Sequence, residues 1–125
     1  MKDNVLNRID LLVQGSVIDF DTGEAIKKID EELRVNYEIC TEDEHYEMFI
    51  THLAMSIKRL KEEEKLESTI DDELFNEVKN CPNYYRALGI LQNIEDRIEI
   101  KLPESEKRFV LLHLCNLLER GKSTW

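Results

Sequence analysis

The chain predicts an all-α fold, a compact helical bundle of five to six helices, and three observations carry that prediction. Apolar residues recur at spacings of three and four along most of the chain, which is the period of core-facing helices, and no stretch keeps the alternation of a strand. Only four glycines and two prolines interrupt the 125 residues, so the periodic stretches run long. Side chains suited to helix starts stand ahead of several stripes.

Each element follows from its own residues. Val5, Ile9, Leu12 and Val13 mark a first helix ending near Gly15. Ile26, Ile29, Leu33 and Tyr37 form a second stripe, opened by Asp21 with Glu24 three residues on, the spacing of a capping box. Thr41 and Glu44 repeat that device before a third helix, whose face carries Tyr46, Phe49, Ile50, Leu53, Ile57 and Leu60. Lys61 to Lys65 extend it as a solvated charged segment. Leu74, Phe75 and Val78 mark a shorter helix ending near Asn80, and Pro82 restarts the chain, since proline suits a first helical turn. Tyr84, Leu88, Leu91, Ile94 and Ile98 build the fifth helix, with Gly89 its weak point. Pro103 opens the sixth, Glu104 and Glu106 favour its positive end, and Gly121 is expected to terminate it.

Composition narrows the function. With 17 basic and 27 acidic residues, the formal net charge is −10. Nucleic-acid binders need clustered Lys and Arg to displace counterions, and no basic run supplies them, so direct DNA or RNA binding is not expected. No apolar run approaches the roughly 20 residues of a membrane span, and the start of the chain has no signal-peptide pattern. Cys40, Cys81 and Cys115 are odd in number and lack a CxxC spacing. They read as small apolar residues of a reducing compartment, not as a disulfide framework or zinc site. The expectation is a soluble, cytoplasmic protein that needs no cofactor.

Two histidines carry the chemistry. His52 lies in Phe49-Ile50-Thr51-His52-Leu53-Ala54-Met55-Ser56, and on a helix its own-face neighbours are His45, Phe49, Ser56 and Arg59. Arg59 would oppose protonation of the ring and favour an added anion beside it. His113 has a similar setting, with Glu106, Phe109, Asn116 and Arg120 on its side of a helix that is otherwise apolar nearly all round. Such a helix is buried on more than one side, against the core or against a partner subunit. The two imidazoles meet only if their helices pack together. Both can instead be satisfied core residues. A metal site built from His45, His52 and His113 lacks a short-spaced ligand pair, so no metal is expected. Glu62, Glu63 and Glu64 read as a solvated face, and Tyr84-Tyr85 as a packing pair. No nucleophile–base pair or Gly-rich phosphate loop appears at a recognisable spacing, so the chain is not expected to be an enzyme.

Taken together, these motifs resemble the PTS regulation domain, or PRD, a module of bacterial antiterminators and activators that sense phosphotransferase-system sugar transport. His52-Leu53-x-x-Ser56-Ile57-x-Arg59 is similar to the family's first histidine motif. Glu77-Val78-Lys79 with Pro82, Tyr85 and Ala87 is similar to its middle helix and turn. Leu102-Pro103-x-x-Glu106-x-x-Phe109-x-x-x-His113-Leu114 resembles its second histidine motif and is the most specific match. The likeness runs from about residue 21 to 120 within a single domain of residues 1–125. Thr51 stands where the family often has an aspartate, and an Asn-Pro pair usual after the arginine is replaced near Thr69-Ile70. The resemblance implies phosphorylation of His52, His113 or both by the phosphocarrier HPr or a sugar-specific transporter subunit, with Arg59 and Arg120 supporting the phosphate. It also implies a homodimer whose packing, or whose contact with a partner transcription regulator, responds to that charge. The 125 residues hold one copy of a module that the family usually repeats and joins to a nucleic-acid-binding domain, so regulation is expected to pass through a partner. The competing expectation is a non-phosphorylated helical adaptor with structural histidines.

Overall fold

Four helices close on one another side by side: α2 (Phe20–Asn36), α3 (Glu44–Lys61), α6 (Glu104–Lys122) and α5 (Tyr84–Ile98). In this computed structural model α2 packs on α3, α3 on α6, α6 on α5, and α5 back on α2. Two shorter helices clip onto this ring, α1 (Lys2–Gln14) against α2 and α3, and α4 (Asp72–Lys79) against α6. The structure describes residues 2–37, 39, 44–62 and 70–122, without the side chains of residues 2–4, 36 and 120–122. Among these residues there is no strand, and no helix is long and apolar enough to cross a membrane.

The apolar stripes face the centre of the ring. Tyr46, Phe49, Ile50, Leu53 and Ile57 of α3 are all buried, against Ile26, Ile29 and Leu33 of α2, Ile90 and Ile94 of α5, and Val110, Leu114 and Leu117 of α6. Each such side chain contributes about 1.5–3 kcal/mol by leaving water. Helix α6 is buried on several sides because α3, α4 and α5 all lie against it. Two carboxylates taken into this interior are paired. Buried Asp30 accepts from the Tyr46 hydroxyl and from Arg34 Nε, and buried Glu95 accepts from the Leu102 amide at 2.7 Å, fastening the α5–α6 connection.

Several boundaries differ from the sequence reading. Asp21 does not cap α2; Asp19 does, its carboxylate accepting from the Thr22 amide at 2.7 Å. The helix therefore starts earlier, and Asp21 sits in its first turn, where a negative charge meets the positive end of the helix. Tyr37 is the C-cap of α2 and not part of it. Helix α3 ends at Lys61, and the expected extension over 63–65 lies outside the described residues, as do Thr41 and Cys40. Asn83, one residue after Pro82, occupies the N-cap position of α5. Gly121 does not end α6, which runs to Lys122. Tyr84 and Tyr85 meet edge to face at 5.7 Å, as a packing pair would, with Tyr84 partly buried against the core and Tyr85 82% exposed. Cys81 and Cys115 are free thiols, and burial pushes the Cys115 thiol up to about 12.

Candidate functional site

Helices α3 and α6 bring the two histidines together. Their ring centroids lie 5.5 Å apart at a 44° tilt. Phe109, one turn before His113, packs 5.3 Å from the His52 ring, and Phe49, three residues before His52, lies 6.3 Å from the His113 ring. Each histidine thus rests on an aromatic ring of the opposite helix. The stripe residues Leu53 and Leu114, next to the histidines in sequence, point fully into the core, which fixes the rotation of both helices and leaves each imidazole half-buried on the flank.

Beside His52 lies a buried polar cluster that spans the same two helices. Arg59 donates from Nε to Glu106 Oε2 at 2.9 Å and from Nη2 to Glu106 Oε1 at 2.9 Å. Ser56 donates to Glu106 Oε1 at 2.7 Å, and Arg59 Nη2 also reaches the Ser56 hydroxyl at 3.2 Å. The Glu106 side chain is 1% exposed. Burial alone would raise its carboxyl, but the hydrogen bonds from Arg59 and Ser56 and the Arg59 charge hold it below the ordinary value. Glu106 thus acts as a buried counter-ion, beyond the helix-end charge that the sequence indicated. No local spacing could have revealed it, because Arg59 and Glu106 sit on different helices 47 positions apart.

Both histidines favour the neutral ring. Burial lowers the His52 value first, the Arg59 charge lowers it further, and Glu106 pulls the other way. Burial also lowers His113, with additional repulsion from His52 and His45. A neutral imidazole keeps one nitrogen lone pair, which is what a nucleophilic acceptor needs. His52 Nε2 is shielded from solvent and has no hydrogen-bond partner. Thr51 takes no part in holding the ring, since its hydroxyl donates to the Glu47 carbonyl one turn back.

His52 opens onto a surface cleft of about 590 Å³, bounded by Arg8 of α1 and by Glu47, Met48, Thr51, Met55 and Arg59 of α3. Arg8, which sequence reasoning did not single out, forks onto one oxygen of Glu47, with Nε and Nη2 each at 3.0 Å. His45 is exposed at the start of α3. Arg120 lies on α6, with its side chain outside the described residues. Among the described residues no group of three or more His, Cys, Asp or Glu is arranged to hold a metal ion.

A family model described as the PRD domain matches residues 23–117. The match takes in most of α2, all of α3 to α5 and most of α6, with both histidines, and it begins after α1. Protein GlcT of Staphylococcus saprophyticus subsp. saprophyticus is 31% identical over 78 residues, covering 62% of this chain and 28% of GlcT. The chain therefore spans less than a third of that relative's length. No solved structure matches it.

Proposed function

We propose that this chain, which belongs to the PRD domain family, is a PTS regulation domain whose His52 and His113 accept a phosphoryl group from phosphorylated HPr or a sugar-specific transporter subunit. As a PRD it is a regulatory domain of the phosphotransferase system. The observation that carries the finer reading is the paired imidazoles, 5.5 Å apart across the α3–α6 contact. A charge added to either ring falls on the seam between two core helices, where it can alter how they pack.

The transfer is a displacement at phosphorus. An unprotonated nitrogen of the acceptor ring gives its lone pair to the new N–P bond as the donor's N–P bond breaks, and that electron pair returns to the donor nitrogen. Holding both rings neutral keeps the attacking lone pair available. The product carries a charge of up to about −2, by analogy with other phosphorylated side chains. Beside the α3–α6 seam that charge biases the packing of a homodimer, or of a complex with a partner transcription regulator, in the cytoplasm.

A second reading, a non-phosphorylated helical adaptor with structural histidines, is favoured by one observation: His52 Nε2 is closed off from solvent. One experiment separates the two. The full chain is incubated with phosphorylated HPr and examined by intact-mass and peptide mass spectrometry at neutral pH, alongside His52→Ala and His113→Ala. Acid-labile phosphate that disappears from a folded variant supports the switch. Variants that lose stability, with no phosphate on the parent chain, support the adaptor.

A further inference from the structure

The cleft in front of His52 holds two guanidinium groups, and they are not equivalent. Arg59 is fixed: Nε and Nη2 both bind Glu106, and Nη2 also binds Ser56, inside the α3–α6 packing. Withdrawing it would strand a buried carboxylate, which is costly. Arg8 is different. Its side chain is 49% exposed and its partner Glu47 27% exposed, and both Arg8 contacts fall on a single carboxylate oxygen. Such surface ion pairs add little stability and exchange readily.

Position also favours Arg8. Val5 and Ile9 anchor α1 in the core, so Arg8 is presented at the edge of the α1–α3 contact. Glu47, which holds it, precedes His52 by five residues, or about 7.5 Å of helix rise. A doubly charged phosphoryl group over His52 competes for this guanidinium with a singly charged carboxylate, and Arg suits bidentate contact with phosphate oxygens. Helix α1 lies before the family-matched span of residues 23–117, so this cation comes from an element outside that match.

We infer that Arg8 is the phosphoryl-gripping residue of the His52 cleft, released from Glu47 when a phosphoryl dianion enters. Arg59 then supplies a fixed positive field and Arg8 the movable contact. The inference deepens the phosphoacceptor reading and rests on it for its biological meaning, but the anion site can be tested without a carrier. The ligand chemistry is a phosphoryl dianion, free or carried on a donor protein.

The test titrates the full chain with inorganic phosphate and follows the His52 imidazole by NMR, with His52→Gln assigning the signal. Saturable binding is expected in the parent chain. Arg8→Gln should weaken it about tenfold, Arg8→Lys should retain most of it, and Glu47→Gln should tighten it by removing the competing carboxylate. No saturation in the parent, equal affinity in Arg8→Gln, or weakening by Glu47→Gln would each overturn the inference. A second arm measures initial rates of transfer from phosphorylated HPr to the parent and to Arg8→Gln. Arg8-dependent phosphate binding without any transfer would refute the acceptor reading and leave the anion site standing. Transfer that is insensitive to Arg8 would refute the gripping role and leave the acceptor reading intact.

Discussion

Glu106 ties α6 to α3 through a buried ion pair. Its carboxylate receives two hydrogen bonds from Arg59 and one from Ser56. Glu106→Gln removes the charge and leaves the Arg59 guanidinium partly buried without its counter-ion, so a loss of about 2–3 kcal/mol is expected in urea denaturation. The histidines add a pH dependence of definite sign. Burial depresses both, so the folded chain binds fewer protons than the unfolded one. Their contribution to stability is present above the ordinary histidine value of 6.5 and is lost as pH falls through their lower folded values. The denaturation midpoint should therefore drop on acidification below that value, and His52→Gln with His113→Gln should flatten that part of the curve. His52, Ser56 and Arg59 were legible as residues because they share one side of the α3 helix, and His113 because it stands in a similar setting on α6. Their union with Glu106 was not, because an ion pair across two helices leaves no periodic trace in either.

At the scale of single helices, two glycines have opposite roles. Gly89 lies exposed within α5, and a Cβ added there would meet nothing within 4 Å. Gly89→Ala should stabilise the chain by about 0.5–1 kcal/mol, since alanine limits the unfolded backbone and favours helix. Gly23 is buried where α2 meets α1, and its Cβ would come within 2.6 Å of Val13 Cγ2. Gly23→Ala should therefore loosen the α1–α2 contact and lower the thermal midpoint, in contrast to Gly89→Ala in the same assay. The stripe of each helix could be read directly, whereas the cap of α2 could not. Asp19, Asp21 and Glu24 all suit a helix start, and Asp19 takes the cap, its carboxylate also reached at 3.1 Å by Lys61 from the end of α3.

For the molecule as a whole, charge sets the terms of assembly. A chain of net charge −10 repels its copy, so the proposed homodimer forms against a long-range electrostatic cost. Raising ionic strength from about 0.01 to 0.1 M shortens the screening length from about 30 to 10 Å. Sedimentation equilibrium should accordingly show tighter self-association as salt is added, and histidine phosphorylation should shift that balance again by adding charge at the α3–α6 seam.

Periodicity, the scarcity of breakers and the absence of strand alternation were enough to establish an all-α bundle, because local spacing alone decides which face of a helix is apolar. The order in which the helices close was a tertiary matter. Only the packing of α3 on α6 placed His52 against His113 and Arg59 against Glu106, and only the docking of α1 put Arg8 at the mouth of the cleft. Such contacts join residues tens of positions apart, and they depend on helix rotation and shape complementarity, which a one-dimensional pattern does not encode.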